Sequence, residues 1–308
     1  MTQGEDNFVV TYASLAEALT AVFGESGELS SAQAVYGGDT ASCSQLLLRS
    51  GQEVFLKLGR SSSIAAFVEE ARGLKALRET GALLVPEVLA LGVEEGRGFL
   101  LLSYVDNGSE RHNWEELGQG LARLHEHVFP ASFSFYLDGS FGFSCDNFIG
   151  RGRQRNTPHS SWVEFFAKER LLPMYEQAKE ELGRGERECF ERLLTRLPDW
   201  LGEPSHPSLL HGDLWMGNVL WKKDSGRPVL IDPAVYFGHP EADLAMTELF
   251  GGFAEEFYRT YQACLPLELG YEKRRDIYNL YHLLNHLNLF GEAYLPDVRR
   301  ILLTYGRP

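Results

Sequence analysis

Apolar and polar residues follow two different periods along this chain, and the change of period divides it. Behind Ser14, a residue able to cap a helix, Leu15, Leu19, Val22 and Phe23 recur at helical spacing. From Ala34 the pattern shortens to strand-like runs separated by turn residues: Ala34-Val35-Tyr36, a Gly37-Gly38 break, Gln45 to Arg49, a Ser50-Gly51 turn, then Glu53 to Leu58. Ile64 to Arg78 returns to the helical period, with Phe67, Ala71, Leu74 and Leu77 on one face. After Pro86, two further apolar runs, Val88 to Leu91 and Phe99 to Val105, flank the turn Glu94-Glu95-Gly96-Arg97-Gly98. Beyond Asp106-Asn107-Gly108-Ser109 the pattern is mostly helical: Trp114 to His127, Ser160 to Lys179, Gly185 to Leu197, Glu241 to Phe250, Ala254 to Cys264 and Arg274 to Phe290. The expectation is an α+β chain with an antiparallel-sheet lobe over residues 1–105 and a mostly helical lobe over 106–308. Pro130 to Pro158, rich in Phe, Gly, Ser and Asn, reads as a long irregular stretch, a kind of segment usually tied to function or mobility.

Composition narrows the class. The 308 residues are 44% hydrophobic and 23% charged, as in ordinary globular proteins. Lys plus Arg number 29 against 43 Asp plus Glu, a net charge of −14, which excludes a general nucleic-acid binder because phosphate tracking needs a basic face. No apolar run approaches the roughly 18–20 residues that span a bilayer, so no membrane partner is expected. The first residues carry Glu5 and Asp6 and no Lys or Arg, so no signal-peptide n-region is read and the expected location is the cytoplasm. Cys43, Cys145, Cys189 and Cys264 are widely spaced and are expected to be free thiols, mostly buried, and not a disulfide or zinc framework.

The densest chemical signal is His211-Gly212-Asp213-Leu214-Trp215-Met216-Gly217-Asn218-Val219-Leu220-Trp221, followed after a turn by Val229-Leu230-Ile231-Asp232-Pro233. Val219 to Trp221 and Val229 to Ile231 read as a hairpin with Asn218 at its start and Asp232 at its end. An amide oxygen and a carboxylate converging there suit Mg²⁺, a hard cation that keeps waters and substrate phosphates as further ligands. Asp213, five residues before Asn218, is placed to accept a proton from a hydroxyl, the spacing of a kinase catalytic loop and metal aspartate. Upstream, Gly37 and Gly38 allow backbone N–H groups to approach phosphates. Lys57 lies inside an apolar strand, where a cation needs a partner, and Glu70 on the next helix is the natural one. Glu69 points about 100° away from Glu70, so one of the two is expected on a solvated face. Ser103, Tyr104 and Val105 fall where a linker offers backbone groups to an adenine ring.

With these residues in view the chain resembles the fructosamine kinase (ketosamine-3-kinase) family within the protein-kinase-like, aminoglycoside-phosphotransferase-like group. The resemblance runs from about residue 15 to 300. It rests on the His211 to Asn218 loop, Asp232-Pro233-Ala234-Val235-Tyr236-Phe237-Gly238, Glu241-x-Asp243-Leu244-Ala245-Met246 and Phe250-Gly251-Gly252-Phe253. It also rests on Tyr278-x-Leu280-Tyr281-x-Leu283-Leu284-Asn285-His286-x-Asn288-Leu289-Phe290-Gly291 and Phe141-Gly142-Phe143-x-x-Asp146-Asn147-x-Ile149-Gly150. The resemblance implies a bilobal kinase-like fold in which ATP phosphorylates the 3-hydroxyl of a ketoamine, free or protein-bound, whose unstable 3-phosphate releases the amine. It implies Asp213 as base, Asn218 and Asp232 as Mg²⁺ ligands, Lys57 and Glu70 as the nucleotide-positioning pair, and Asp243 as a brace of the catalytic loop. Trp215 takes the position flanking the sugar pocket, with Asn285 and His286 as further candidates for its lining.

The chain departs from the family pattern at Ala41, where Asn is common in the Gly loop, so side-chain contact to phosphate is not expected there. Cys43 lies four residues beyond the place of the redox-active cysteine of some relatives, and that role is not carried over. Two rival readings remain at this level. One is a kinase of the same fold for an aminoglycoside, choline or a free sugar; the other is a nucleotide-binding pseudokinase scaffold.

Overall fold

The computed structural model describes residues 11–35, 41–129 and 139–307, and these fall into two units, one within Met1–Asn113 and Leu220–Asp232 and the other within Trp114–Val219 and Pro233–Pro308. The first unit contains β1 (Thr11–Tyr12), β2 (Leu29–Val35), β3 (Ser42–Leu48), β4 (Glu53–Leu58), β5 (Val88–Glu94) and β6 (Arg97–Ser103). These form one sheet in the order β1-β5-β6-β4-β3-β2. Five strands pair antiparallel as expected, but β1 runs parallel to β5, with Thr11 opposite Leu91, so the sheet is mixed. Two residues are too few to display a period, which is why β1 left no trace in the pattern. β2 starts at Leu29, earlier than its expected start at Ala34, because this edge strand is exposed along its whole length and has no buried face to impose alternation.

Two helices cover the sheet. In α1 (Leu15–Phe23) the Ser14 hydroxyl accepts the Glu17 N–H at 3.1 Å, and Ala18 and Leu19 pack on Leu46, Leu48, Val54, Leu56, Phe99 and Leu101. On the opposite face α2 (Ile64–Thr80) brings Phe67, Ala71 and Leu74 against Leu91, Leu100 and Leu102. The Phe99 to Leu102 run is therefore uniformly apolar because the sheet is buried on both sides there. Alternation along β4 then decides the site: Val54 and Leu56 face α1, so Phe55 and Lys57 face α2.

The second unit is mostly helical: α3 (Trp114–Glu126), α4 (Trp162–Phe165), α5 (Leu172–Ala178), α6 (Arg184–Thr195), α7 (Leu197–Trp200), α8 (Glu241–Leu249), α9 (Glu255–Cys264), α10 (Tyr271–Phe290) and α11 (Leu295–Tyr305). The expected helix from Ser160 to Lys179 is interrupted by a π-helical turn, Phe166–Leu171, which turns the consecutive residues Glu169 and Arg170 inward. The Arg170 guanidinium, wholly buried, stacks over the rings of Tyr236 (3.9 Å) and Phe165 (4.5 Å) and donates to Asn156 Oδ1 at 2.7 Å. The last helix, α11, lies beyond the expected helices, which end at Phe290. Within the stretch read as irregular, β7 (Asn147–Ile149) and β8 (Gly152–Gln154) form a hairpin; residues 130–138 lie outside the described residues. β9 (Ser208–Leu210) precedes the His211 to Asn218 motif. β12 (Tyr236–Gly238) pairs antiparallel with β9, whereas β10 (Val219–Trp221) pairs with β11 (Pro228–Leu230) as the expected hairpin, which from Leu220 on belongs to the first unit. All four cysteines are free thiols; Cys43 and Cys189 are buried, whereas Cys264 is exposed. Among the described residues no helix is long and apolar enough to cross a membrane.

Candidate active site

Facing α2, Lys57 reaches Glu70 with Nζ···Oε1 at 2.8 Å, and the same ammonium donates to Asp232 Oδ1. Glu69 is not on a solvated face: it pairs with Arg72 and its side chain is 13% exposed. Burial by itself disfavours the Lys57 ammonium, but the charges and hydrogen bonds of Glu70 and Asp232 outweigh it and raise the pKa, so Lys57 is a cation at neutral pH. Asp232 follows β11 with φ +52, a left-handed conformation uncommon for a residue with a side chain and a form of local strain found often at functional sites. Ser103 ends β6, exchanging bonds with Glu87: its N–H donates to the Glu87 carbonyl at 2.9 Å and its hydroxyl accepts the Glu87 N–H at 2.8 Å. Tyr104 and Val105 continue as partly buried chain beyond the strand. Gly37 and Gly38 lie outside the described residues.

In the second unit the loop after β9 is pinned from below. Asp243, on α8 and buried, accepts the His211 N–H at 2.7 Å and the Gly212 N–H at 2.8 Å. His125 adds its Nε2 at 3.3 Å from Asp243, and its other nitrogen lies 2.8 Å from the Tyr261 hydroxyl. Burial pushes the Asp243 carboxyl up, but the hydrogen bond and charge of His125, the charge of His211 and the Gly212 N–H overcome this and hold its pKa below the usual value. From the other side, the Ala234 N–H donates to the His211 carbonyl at 2.8 Å. Gly212 has φ +81, and a Cβ there would come within 2.0 Å of the Ala234 carbonyl oxygen, so this position excludes every other residue.

Asp213, half-buried, follows this pinned pair. Asn218 donates Nδ2 to the Asp213 carbonyl (2.8 Å) and to its carboxylate Oδ2 (3.1 Å). The amide nitrogen is thereby committed, which leaves the Asn218 Oδ1 as the acceptor available to a cation. The Asn218 Oδ1 and the Asp232 carboxylate are each a hard oxygen donor of the kind Mg²⁺ prefers, and among the described residues no group of three or more His, Cys, Asp or Glu forms a competing metal site. The chemistry of each donor, one amide oxygen and one carboxylate, suits Mg²⁺.

Trp215, 39% exposed, lays its indole over Gly217, where a Cβ would come within 2.4 Å of the ring. Its edge meets Phe250 at 6.2 Å, and Phe250 lies 4.8 Å from His286, which also contacts Tyr294 (5.0 Å) and Phe290 (5.4 Å). Trp215 and His286 thus belong to one aromatic cluster. Asn285, the neighbour of His286 on α10, does not join it; buried, it lies against Gly152 of the β7–β8 hairpin. The sequence reading missed Phe250, Phe290 and Tyr294 as members of the cluster, and His125 and Tyr261 as members of the brace. Phe250 and Phe290 lay inside quoted motifs, whereas His125 and Tyr261 carried no local signal.

The profile of the fructosamine kinase family matches residues 11–305. A protein of Vibrio parahaemolyticus assigned as a ketoamine kinase is 39% identical over 266 residues, 85% of this chain and 88% of its own. The chloroplastic protein-ribulosamine 3-kinase of Arabidopsis thaliana is 38% identical over 256 residues, 82% of this chain and 76% of its own. Among solved structures, one from Haemophilus somnus assigned as a fructosamine-3-kinase matches with TM-score 0.84 at 27% identity, covering 96% of this chain and 97% of that one. An aminoglycoside phosphotransferase matches with TM-score 0.58 at 17% identity over 94% of this chain and 99% of its own, a likeness of fold alone.

Proposed function

The chain belongs to the fructosamine kinase family, and on that premise we propose that it transfers the γ-phosphoryl group of ATP to the sugar 3-hydroxyl of a ketoamine. The observation that carries this reading is the pinned loop: Asp213 follows two residues whose N–H groups are locked by Asp243, and Asn218 holds its carboxylate from one side. A carboxylate held in one direction suits a general base that orients a hydroxyl and takes its proton as the new P–O bond forms.

The N-terminal lobe is assigned to the nucleotide. Lys57, kept cationic by Glu70 and Asp232, would neutralise charge on the phosphates that are not transferred, and backbone groups of Ser103, Tyr104 and Val105 would meet the adenine. The Ser103 N–H is bonded to Glu87 and so is not available for that role. Gly37 and Gly38 are assigned to the phosphates through their N–H groups. Asn218 and Asp232 would hold Mg²⁺, which when bound supplies charge neutralisation at the phosphate oxygens. The C-terminal lobe is assigned to catalysis and to the acceptor: Trp215 offers an indole face for a sugar ring, with His286 and Asn285 as further contacts. Most of the rate acceleration is then positioning and electrostatics, because phosphoryl transfer leaves little covalent work to the protein. A ketoamine 3-phosphate that sheds its amine would make the activity a deglycation repair step, and a cytoplasmic location suits it.

Mass spectrometry of ATP reactions with free and protein-bound fructosamines, ribulosamines and erythrulosamines tests the proposal, with choline, an aminoglycoside and free sugars as controls. Expected are phosphorylated ketoamines with the parent chain and none with Asp213→Asn, which should still bind ATP. Preferential phosphorylation of a control acceptor, or nucleotide binding without turnover of any acceptor, would overturn it.

A further inference from the structure

The β7–β8 hairpin ends in a buried amide whose contacts lead to the catalytic loop. Gln154 is 1% exposed. Its Nε2 donates to the Ala234 carbonyl (2.9 Å) and to Asn147 Oδ1 (2.8 Å), and its Oε1 accepts the Tyr281 hydroxyl (2.7 Å). A primary amide has two N–H donors and one carbonyl, so these three bonds fix which end faces which neighbour. Burial holds the Tyr281 phenol protonated, and with both Gln154 N–H groups already committed the hydroxyl serves as donor. The carbonyl that Gln154 grips is the one lying against Gly212, and the N–H of that same Ala234 binds the His211 carbonyl. A continuous run of contacts therefore leads from Tyr281 through Gln154 and Ala234 to the two residues before Asp213. The hairpin also touches α10 one turn beyond Tyr281, where Gly152 lies against Asn285 Oδ1. None of these contacts belongs to the Asp243 brace, which holds the loop's N–H groups; this second set holds its carbonyl side.

We infer that Gln154 is a positioning residue for phosphoryl transfer, oriented by Tyr281, which sets the place of Asp213 through the Ala234 backbone. The inference rests on the role proposed for Asp213. Gln154→Glu keeps the shape and the Tyr281 bond but sets a second acceptor against the Ala234 carbonyl; Tyr281→Phe removes only the orienting hydroxyl.

The test is steady-state kinetics with ATP and a ketoamine on Gln154→Glu, Gln154→Ala, Tyr281→Phe and the Tyr281→Phe/Gln154→Ala double variant, each with its thermal midpoint. Displacement of a catalytic group by a fraction of an ångström to an ångström costs roughly tenfold to a hundredfold in rate. Expected is a kcat lowered by that factor for the Gln154 variants and less for Tyr281→Phe, with KM for ATP within twofold of the parent. The double variant should be no slower than Gln154→Ala, since the hydroxyl acts only through the amide. A merely structural clamp would lower the thermal midpoint while kcat per folded molecule stayed within twofold, and that result, or independent losses in the double variant, overturns the inference. If the Gln154 variants do not fold, Tyr281→Phe decides alone: parent-like kcat sinks the idea. Failure of the underlying reading is distinguishable, because then the parent itself turns over no ketoamine or Asp213→Asn retains turnover, and the inference falls with it.

Discussion

Replacing Asp243 with Asn should destabilise the protein by about 2–4 kcal/mol and lower turnover at least about tenfold. The native carboxylate has two oxygens for two backbone donors, the His211 N–H at 2.7 Å and the Gly212 N–H at 2.8 Å, in a site without solvent. Asn has one oxygen and one NH₂, so in either orientation a backbone N–H faces another donor. Losing one bond to a charged acceptor costs about 1.5–3 kcal/mol, and loss of the charge facing His125 adds to this. The assay is urea denaturation of parent and variant, alongside kcat with ATP and a ketoamine. The pH dependence gives an independent check. The Asp243 pKa is depressed because His125, His211 and the Gly212 N–H outweigh the penalty of burial. Its ionised form therefore contributes stability that is fully present above the ordinary carboxyl value of 3.8 and is lost as pH falls through the lower folded value. The stability gap between parent and variant should be constant near neutrality and narrow in acid below about pH 4. A variant within about 0.5 kcal/mol of the parent and within twofold in kcat would refute the bracing argument, as would a gap indifferent to acid.

Three further outcomes follow from the same geometry. Lys57→Met should raise KM for ATP about tenfold or more, since Glu70 and Asp232 are left facing each other without their cation; equilibrium binding of a non-hydrolysable ATP analogue checks it, and unchanged affinity contradicts the phosphate role. Gly217→Ala should raise KM for the ketoamine severalfold and leave that for ATP unchanged, because the new Cβ displaces the Trp215 indole; equal changes in both constants would argue against an acceptor role for Trp215. His239 and His282 are both pushed down to about 3, chiefly by burial and secondarily by Arg274 and His286 respectively. Their unfolded value is 6.5, so below that pH the unfolded chain binds protons the folded one refuses, and stability is lost as pH falls from 6.5 toward 3. At pH 5 the loss should be about 2 kcal/mol for each, read by urea denaturation at pH 7 and 5, and His282→Asn should remove about half of it. A parent whose stability is flat over that range would contradict their burial as neutral rings.

Much of this protein was legible in one dimension because the signals are local. Helical period placed α1, α2, α3, α6, α8, α9 and α10, strand runs placed β3 to β6, motif spacing singled out Asp213, Asn218 and Asp232, and a charge inside an apolar strand singled out Lys57. Glu70 was legible as the partner of Lys57, but the burial of Glu69 against Arg72 was not, since that depends on what packs around the helix. β1 is too short for a period, β2 is too exposed for one, and the π turn at Phe166–Leu171 cannot be told from α-helix by apolar spacing alone. The supports of the loop are harder still: His125 and Asp243 are 118 residues apart, and Tyr281 and Gln154 are 127 apart.

The chain alone determined which side chains are present for chemistry: a carboxylate at Asp213, oxygen donors at Asn218 and Asp232, and a lysine inside an apolar strand that needs a partner. Only tertiary structure decided how those groups are held, because a buried hydrogen bond depends on which distant elements pack together and not on the periodicity of either one. Asp243 and Gln154 gain their places from α8 and the β7–β8 hairpin closing on the same loop, and neither contact is written in the neighbourhood of Asp213.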